Sequence, residues 1–298
     1  MNQTYYKITN KDECHNGYQY VNGLNILDKP FEPIGSCVVG GLYFTTAEHI
    51  FNFLDYGCYL REVTLPKDCQ WVRDPDGDKF RADKIILGKR YNLWDLHTFQ
   101  LLVEKGADIH ANNDYALRWA SKNGHLDIVK YLVNAGANIH ADDNYALIRA
   151  SRNGHFEVVK WLVDAGANIH ANHDNALRLA AKNGHLDIVK YLVDVGADIY
   201  VDYGYALMLA SENGYFGVVK YLMEKKADIR TCRDYALRHA SKNGHLEIVK
   251  CLMEAGANIY VRNNYAFEYA FECASENSHL EVVQYLESCA KVDKNLKN

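Results

Sequence analysis

From about residue 92 to residue 290, apolar and polar positions recur with a period of thirty residues. The segments YALRWASKNGHLDIVKYLVNAGANIHA from Tyr115, YALIRASRNGHFEVVKWLVDAGANIHA from Tyr145 and NALRLAAKNGHLDIVKYLVDVGADIYV from Asn175 share one register. YALMLASENGYFGVVKYLMEKKADIRT from Tyr205 and YALRHASKNGHLEIVKCLMEAGANIYV from Tyr235 continue it. A sixth unit begins at Tyr265, but four additional residues near Phe271–Ala274 place Asn277-Ser278-His279 thirty-four residues beyond Asn243-Gly244-His245. LWDLHTFQLLVEKGADIHA, from Leu93, matches only the second half of a unit. Self-similarity at this spacing marks a repeat architecture.

Each unit specifies two antiparallel helices. Ala116, Leu117 and Ala120 fall on one face of the first, with Asp114 placed as its N-cap. Asn123-Gly124 ends that helix. Leu126, Val129, Leu132 and Val133 then recur at three- and four-residue spacing and give the second helix an apolar stripe. Gly136 stands where a left-handed residue closes the helix. One hairpin cannot bury both of its faces, whereas stacked copies build a continuous core.

The pattern A-x-x-x-N-G-H-x-x-x-V-x-x-L, followed by G-A-[DN]-I, resembles the ankyrin repeat. It is carried here by Asn123-Gly124-His125, Val129, Leu132 and Gly136-Ala137-Asn138-Ile139, and the resemblance covers residues 92–290. The implied fold is mostly α: an ankyrin-type solenoid of a half-repeat and about six helix pairs, preceded by a small α+β domain. Two departures matter. Tyr115-Ala116-Leu117-Arg118 replaces the T-P-L-H helix start, and about three residues are missing just before it, so stubby fingers are expected and recognition shifts from fingers to groove. Such thirty-residue units are similar to the ankyrin proteins of giant DNA viruses of the mimivirus type. The fourth unit deviates most: Tyr215 replaces the histidine, Gly217 an acidic residue, and Lys226 the turn glycine seen at Gly136, Gly166, Gly196 and Gly256.

Residues 1–91 have a different texture and hold all four prolines, Pro30, Pro33, Pro66 and Pro75. Thr45-Thr46-Ala47-Glu48 has the form of a capping box ahead of Ile50, Phe51 and Leu54, which predicts a short amphipathic helix. Strands are expected at Tyr59–Leu65, Lys79–Leu87, Gln70–Val72 and Gly40–Phe44. The run GLYFTTAEHIFNFLDYG…LREVTLP…DGDKFRADKIILG is similar to an uncharacterised domain that precedes the repeats in the same viral proteins, a resemblance that implies no activity. A boundary near residue 91 and a short flexible tail over 291–298 complete the expected organisation.

Composition narrows the chemistry. The chain has 298 residues, 48% of them apolar, with a formal net charge of −5. That excludes a disordered or collagenous chain and gives no global drive towards nucleic acid or an anionic membrane. The longest apolar runs are too short to span a bilayer, and residues 1–15 lack a signal-peptide stretch, so a soluble, cytoplasmic protein is expected, in the host cytoplasm if viral. The eight cysteines form no C-x-x-C pair and read as reduced thiols. The thirteen histidines fall largely on two repeat positions, whose equivalents stand too far apart for one metal ion. Hence the turns built on Gly124 and His125, Gly154 and His155, Gly184 and His185, and Gly244 and His245 are read as structural. Asp74-Pro75-Asp76-Gly77-Asp78 departs from a calcium loop in its glycine and in Ile85, and reads as a hairpin turn. Cys58, His49 and Asp55 lack any nucleophile motif, and Gly40-Gly41 lacks a phosphate-loop context. No catalytic residue, metal or cofactor is expected.

The strongest functional pattern lies on the first helices. Arg118 and Lys122 are four apart on the face opposite the alanines. Their equivalents are Ile148 and Arg152, Arg178 and Lys182, Met208 and Glu212, then Arg238 and Lys242, with Trp119, Arg149 and His239 alongside. In ankyrin-like stacks this face lines the concave surface. The expectation is a non-enzymatic scaffold that binds a host or viral protein through a basic groove. The alternatives are an enzymatic leading domain targeted by the repeats, or an adaptor to host ubiquitin machinery, for which no terminal box is present.

Overall fold

The computed structural model describes residues 4–15, 17–36, 38–75, 77–257 and 265–296, and the chain forms two compact units, Met1–Asp142 and Asp143–Asn298. In the first unit, β1 (Tyr5–Thr9), β6 (Tyr59–Thr64), β9 (Lys84–Asn92) and β4 (Gly23–Ile26) make a four-stranded antiparallel sheet in the order β1-β6-β9-β4. A second sheet has the order β5 (Leu42–Phe44), β8 (Phe80–Ala82), β7 (Trp71–Arg73), and β2 (Cys14–His15) pairs with β3 (Tyr18–Gln19). Reciprocal backbone bonds between Tyr6 and Thr45 join the two larger sheets. Between them, Tyr20, Leu42, Phe44, Val63, Ala82, Ile85 and Leu87 form a buried core.

The expected strands at Tyr59–Leu65, Gln70–Val72 and Gly40–Phe44 have counterparts in β6, β7 and β5. The Lys79–Leu87 strand divides at Asp83 into β8 and β9, whose residues belong to different sheets. The expected turn at Asp74 is a β7–β8 hairpin: Asp74 N–H donates to Lys79 O at 3.0 Å and Gly77 N–H to Asp74 O at 2.8 Å. The Asp74 carboxylate is committed to Arg81 at 2.8 Å and accepts from Ser36 Oγ at 2.7 Å, while Asp76 lies outside the described residues.

The capping box does not form. Thr45 is held in the sheet bridge to Tyr6, and its hydroxyl donates to Asp78 O at 2.5 Å instead of capping a helix. Residues Ile50–Tyr56 wind as a 3₁₀ helix with the expected Ile50, Phe51 and Leu54 stripe buried. That short helix packs on the first repeat elements of the same unit. Phe51 stacks on Phe99 of α1 (Leu96–Glu104), and Phe99 stacks on Trp119 of α2 (Ala111–Asn123), at centroid distances of 5.3 and 5.8 Å. Asp55 receives Lys122 Nζ at 3.3 Å and the Tyr115 hydroxyl, and Asn52 Oδ1 accepts from Asn112 Nδ2 at 2.9 Å. The leading domain thus occupies the side of α2 that faces the missing half of the first repeat. The unit is completed by α3 (Leu126–Asn134) and the start of α4 (Ala141–Asn153).

The second unit is entirely helical among its described residues. Following α4 come α5 (Phe156–Asp164), α6 (Ala171–Lys182), α7 (Leu186–Asp194), α8 (Val201–Glu212), α9 (Phe216–Glu224), α10 (Thr231–Lys242), α11 (Leu246–Glu254), α12 (Tyr265–Glu276) and α13 (Leu280–Leu296). The second helices α5, α7, α9 and α11 bury the same triad, as in Val158, Val159 and Leu162 or Ile188, Val189 and Leu192. Small residues line the opposing faces: Ala150, Ser151, Ala180, Ala181, Ala210 and Ser211 are all fully enclosed. The four additional residues of the last repeat carry α12 to Glu276, about one helical turn past the corresponding end of α10. Lys226 keeps the left-handed backbone of the glycines it replaces, with φ 67°. Residues 291–296, expected as a tail, continue α13.

Candidate protein-interaction surface

The shortened connection between repeats is solved by a run of left-handed residues. Asn112, Asn113 and Asp114 have φ of 51°, 56° and 56°, Asn172, His173 and Asp174 repeat the pattern at 50°, 58° and 50°, and Asp202, Tyr203 and Gly204 at 50°, 61° and 73°. Asp142, Asp143 and Asn144 do the same at 53°, 55° and 60°. Left-handed backbone costs most L-residues about 1–2 kcal/mol, and Asn, Asp and Gly pay least. Asn, Asp or Gly accordingly fills ten of these twelve positions, and His173 and Tyr203 are the exceptions. Consequently Asp114 is no N-cap, because its backbone lies in the left-handed region and its carboxylate turns to the next repeat.

That third position builds a ladder. Asn138 N–H donates to Asp114 Oδ1 at 2.8 Å, Asn168 N–H to Asn144 Oδ1 at 2.8 Å, and Asp198 N–H to Asp174 Oδ1 at 3.0 Å. At the start of the array, the equivalent N–H of Asp108 donates to Glu48 O of the leading domain at 3.1 Å. The N-G-H turns build a second ladder: His185 Nε2 bonds Arg152 O at 2.9 Å, His245 Nε2 Glu212 O at 3.0 Å, and His279 Nε2 Lys242 O at 2.9 Å. These bonds tie His185, His245 and His279 to the end of the first helix one repeat earlier.

The basic residues divide into two groups. Arg118 pairs with Asp142 at 2.8 Å and donates to the left-handed carbonyls of Asn112 and Asn113, with the Asn113 bond at 3.1 Å. Arg178 pairs with Asp202 at 2.8 Å and donates to Asn172 O at 2.7 Å. These arginines therefore clamp their own turn to the following one. Ile148, Met208 and Trp119, expected to interrupt or flank the groove, are buried at 1%, 4% and 4% exposure. They belong to the packing of the stack, because the position beside the clamp faces inward when no guanidinium must reach out. Asp142 and Asp202 alternate with Asn112 and Asn172 in step with the Arg/apolar alternation, and that two-repeat pattern was the available signal.

What stays open to solvent is narrower. Arg152, Lys182 and Lys242 are exposed. Arg149 lies over the Tyr145 ring at 4.5 Å, Arg178 over Tyr205 at 5.9 Å, and Arg238 over Tyr235 and Tyr269 at 5.7 and 5.1 Å. His239 stacks on Tyr235 at 3.7 Å and faces Glu212 at 3.5 Å; burial, opposed by Glu212, lowers its pKa. The fourth repeat adds aromatic surface that the sequence reading missed. Tyr200, Tyr203 and Tyr205 are 54%, 75% and 36% exposed, at positions held in the preceding repeat by His170, His173 and Asn175.

A family model described as ankyrin repeats matches residues 91–173, 168–232 and 207–298. The chain belongs to the ankyrin-repeat family. It is 53% identical over 131 residues to the putative ankyrin repeat protein R868 of Acanthamoeba polyphaga mimivirus, a match covering 42% of this chain and 64% of that protein. It is 47% identical over 129 residues to the putative ankyrin repeat protein R229 of the same virus, covering 41% of this chain and 42% of the relative. The uncharacterized protein R869 of that virus is 45% identical over 134 residues, covering 42% of this chain and 94% of its own length. The chain thus spans less than two thirds of the first two relatives.

The ankyrin repeat is a protein-interaction module, and among the described residues of this one no group of three His, Cys, Asp or Glu side chains gathers to hold a metal ion. Cys14, Cys58, Cys69, Cys251, Cys273 and Cys289 are free thiols, and no described helix is long and apolar enough to cross a membrane.

Proposed function

We propose that this chain is a non-enzymatic scaffold whose ankyrin repeats hold an acidic segment of a host or viral protein along the first helices. The single observation that carries the reading is Tyr203. It is a bulky aromatic in left-handed backbone, with φ 61° and three quarters of its surface in water, at the position held by Asn113, Asp143 and His173 in the preceding repeats. Exposed tyrosines beside arginine make effective anchors for a partner. Tyr205 under Arg178 extends the anchor, and Arg152, Lys182 and Lys242 supply the positive rim that would steer an acidic chain.

The test compares Tyr203→Asn and the triple variant Arg152→Glu, Lys182→Glu, Lys242→Glu with the unaltered chain in affinity capture from Acanthamoeba lysate. Asn suits the left-handed turn, so Tyr203→Asn is expected to unfold at the same or higher denaturant concentration while losing a saturable partner. Partners retained by both natively folded variants would refute the surface assignment.

A further inference from the structure

The leading domain contains a cavity of about 220 Å³ apart from the repeats and their interaction surface. Its walls are aromatic, with Tyr6, Phe44, Phe53 and Tyr56, and its titratable lining groups besides tyrosine are basic: Lys7, His15 and Lys79. No aspartate or glutamate lines it among the described residues. An enclosed cavity of about 150 Å³ accepts a benzene ring, so this half-open pocket has room for one substituted ring.

Lys7 is the unusual group. It is 4% exposed, yet its ammonium, with three donors, makes one hydrogen bond among the described residues, to Tyr43 O at 2.9 Å, and lies 4.4 Å from the Tyr20 ring centroid. Neighbouring groups add positive charge. Lys7 pairs in the sheet with Arg61, and Arg61 with Arg90, and these two arginines share Glu13, each at 3.5 Å. Lys79 stands 3.9 Å from Asp74, whose carboxylate is held at 2.8 Å by Arg81. A buried cation without a paired anion is costly. Burial accordingly lowers the Lys7 pKa to about 7, and burial together with the Lys7 charge lowers that of His15.

We propose that this cavity is a binding site for a small aromatic anion, a single ring bearing a carboxylate or a phosphate, with Lys7 as its counter-ion. The anion supplies the charge that the lining lacks, and the ring packs against Phe44, Phe53 and Tyr56. Binding must then draw a proton onto Lys7 near neutral pH.

Titration calorimetry on the full chain at about pH 7.5, with salicylate, phenyl phosphate and uncharged salicylamide as probes, tests this. At least one anion is expected to bind saturably and about tenfold or more tighter than salicylamide. Its apparent enthalpy should vary with buffer ionisation heat in the sense of proton uptake, and Lys7→Met should weaken it about tenfold. Which anion binds better assigns the group as carboxylate or phosphate. Absence of saturable binding by either anion up to about 10 mM, equal binding of the amide, or no proton uptake would overturn the proposal. The last two readouts use the unaltered protein, so they decide even if Lys7→Met does not fold.

Discussion

The carboxylate of Asp174 accepts a hydrogen bond from the backbone N–H of Asp198, twenty-four residues later, at 3.0 Å. Asp114 and Asn144 make the same bond to Asn138 and Asn168, so one side chain per repeat both tolerates left-handed backbone and ties the turn of its own unit to the next. In the fourth repeat the position is Gly204, with φ 73°, which has no side chain to continue the ladder. Gly204→Asp is therefore expected to be more stable than Gly204→Ala by about 1 kcal/mol, the worth of one hydrogen bond. Gly204→Ala should destabilise by about 1 kcal/mol, because it adds the left-handed strain without the bond. Urea denaturation of both variants measures the difference; a midpoint for the aspartate no higher than for the alanine would show that the ladder contributes nothing there.

Two glycines in the same repeat should respond unequally to alanine. Gly154 and Gly166 both have positive φ, 81° and 99°, and each loses about 1 kcal/mol from that alone. A methyl group at Gly166 meets open space, whereas at Gly154 it would come within 2.7 Å of the His185 ring. Since His185 bonds Arg152 O, displacing the ring also removes that tie, at about 1 kcal/mol more. The expected order of unfolding midpoints is wild type, then Gly166→Ala, then Gly154→Ala. Equal losses would mean that the ring moves aside without cost.

Lys226 presents the opposite case. Its φ of 67° lies where Gly136, Gly166, Gly196 and Gly256 stand in the other repeats. Lys226→Gly should raise stability by about 1 kcal/mol, read as a higher midpoint with an unchanged denaturant slope.

The helical array was legible because thirty-residue periodicity, the N-G-H turns and the alanine faces each impose the same register. The inner face was less so. A basic residue at position 118 or 178 looks like a solvated helix charge, and only the aspartate of the following turn, outside the helical period, reveals a clamp. In the leading domain, the Tyr6-Lys7-Ile8-Thr9 alternation of β1 is too short to mark a strand alone, and it misleads about exposure, since Lys7 and Thr9 are buried along with Tyr6 and Ile8. The 3₁₀ helix was placed correctly but entered differently, since the backbone pairing of Thr45 with Tyr6 outcompeted the local cap.

The clamp can be measured by a double-mutant cycle on Arg178→Ala and Asp202→Asn. The pair is partly exposed, with side-chain exposures of 19% and 41%, so the coupling should be about 0.5–1 kcal/mol and fall with added salt. Asparagine stands at the corresponding position 172 with the same backbone, which keeps the turn intact in the single variant. A coupling of zero at low salt would reduce the arginine to packing on Tyr205.

Lys7 makes stability depend on pH in a defined window. Burial lowers its folded pKa to about 7, from an ordinary value of 10.5 that the unfolded chain retains. Below about pH 7 both states hold the proton; between about 7 and 10 the unfolded state binds more protons than the folded one, and stability rises with pH. The rise is at most about 1.4 kcal/mol per pH unit. Above pH 10 the direction reverses for the buried tyrosines, since burial and the Glu62 hydrogen bond push Tyr91 up to about 12 and the folded state then retains the proton. Urea midpoints between about pH 7 and 9.5 should therefore climb for the unaltered chain and stay flatter for Lys7→Met, which keeps the side-chain length without the charge. Parallel profiles for the two proteins would place the amine in contact with water and remove the cost of its burial.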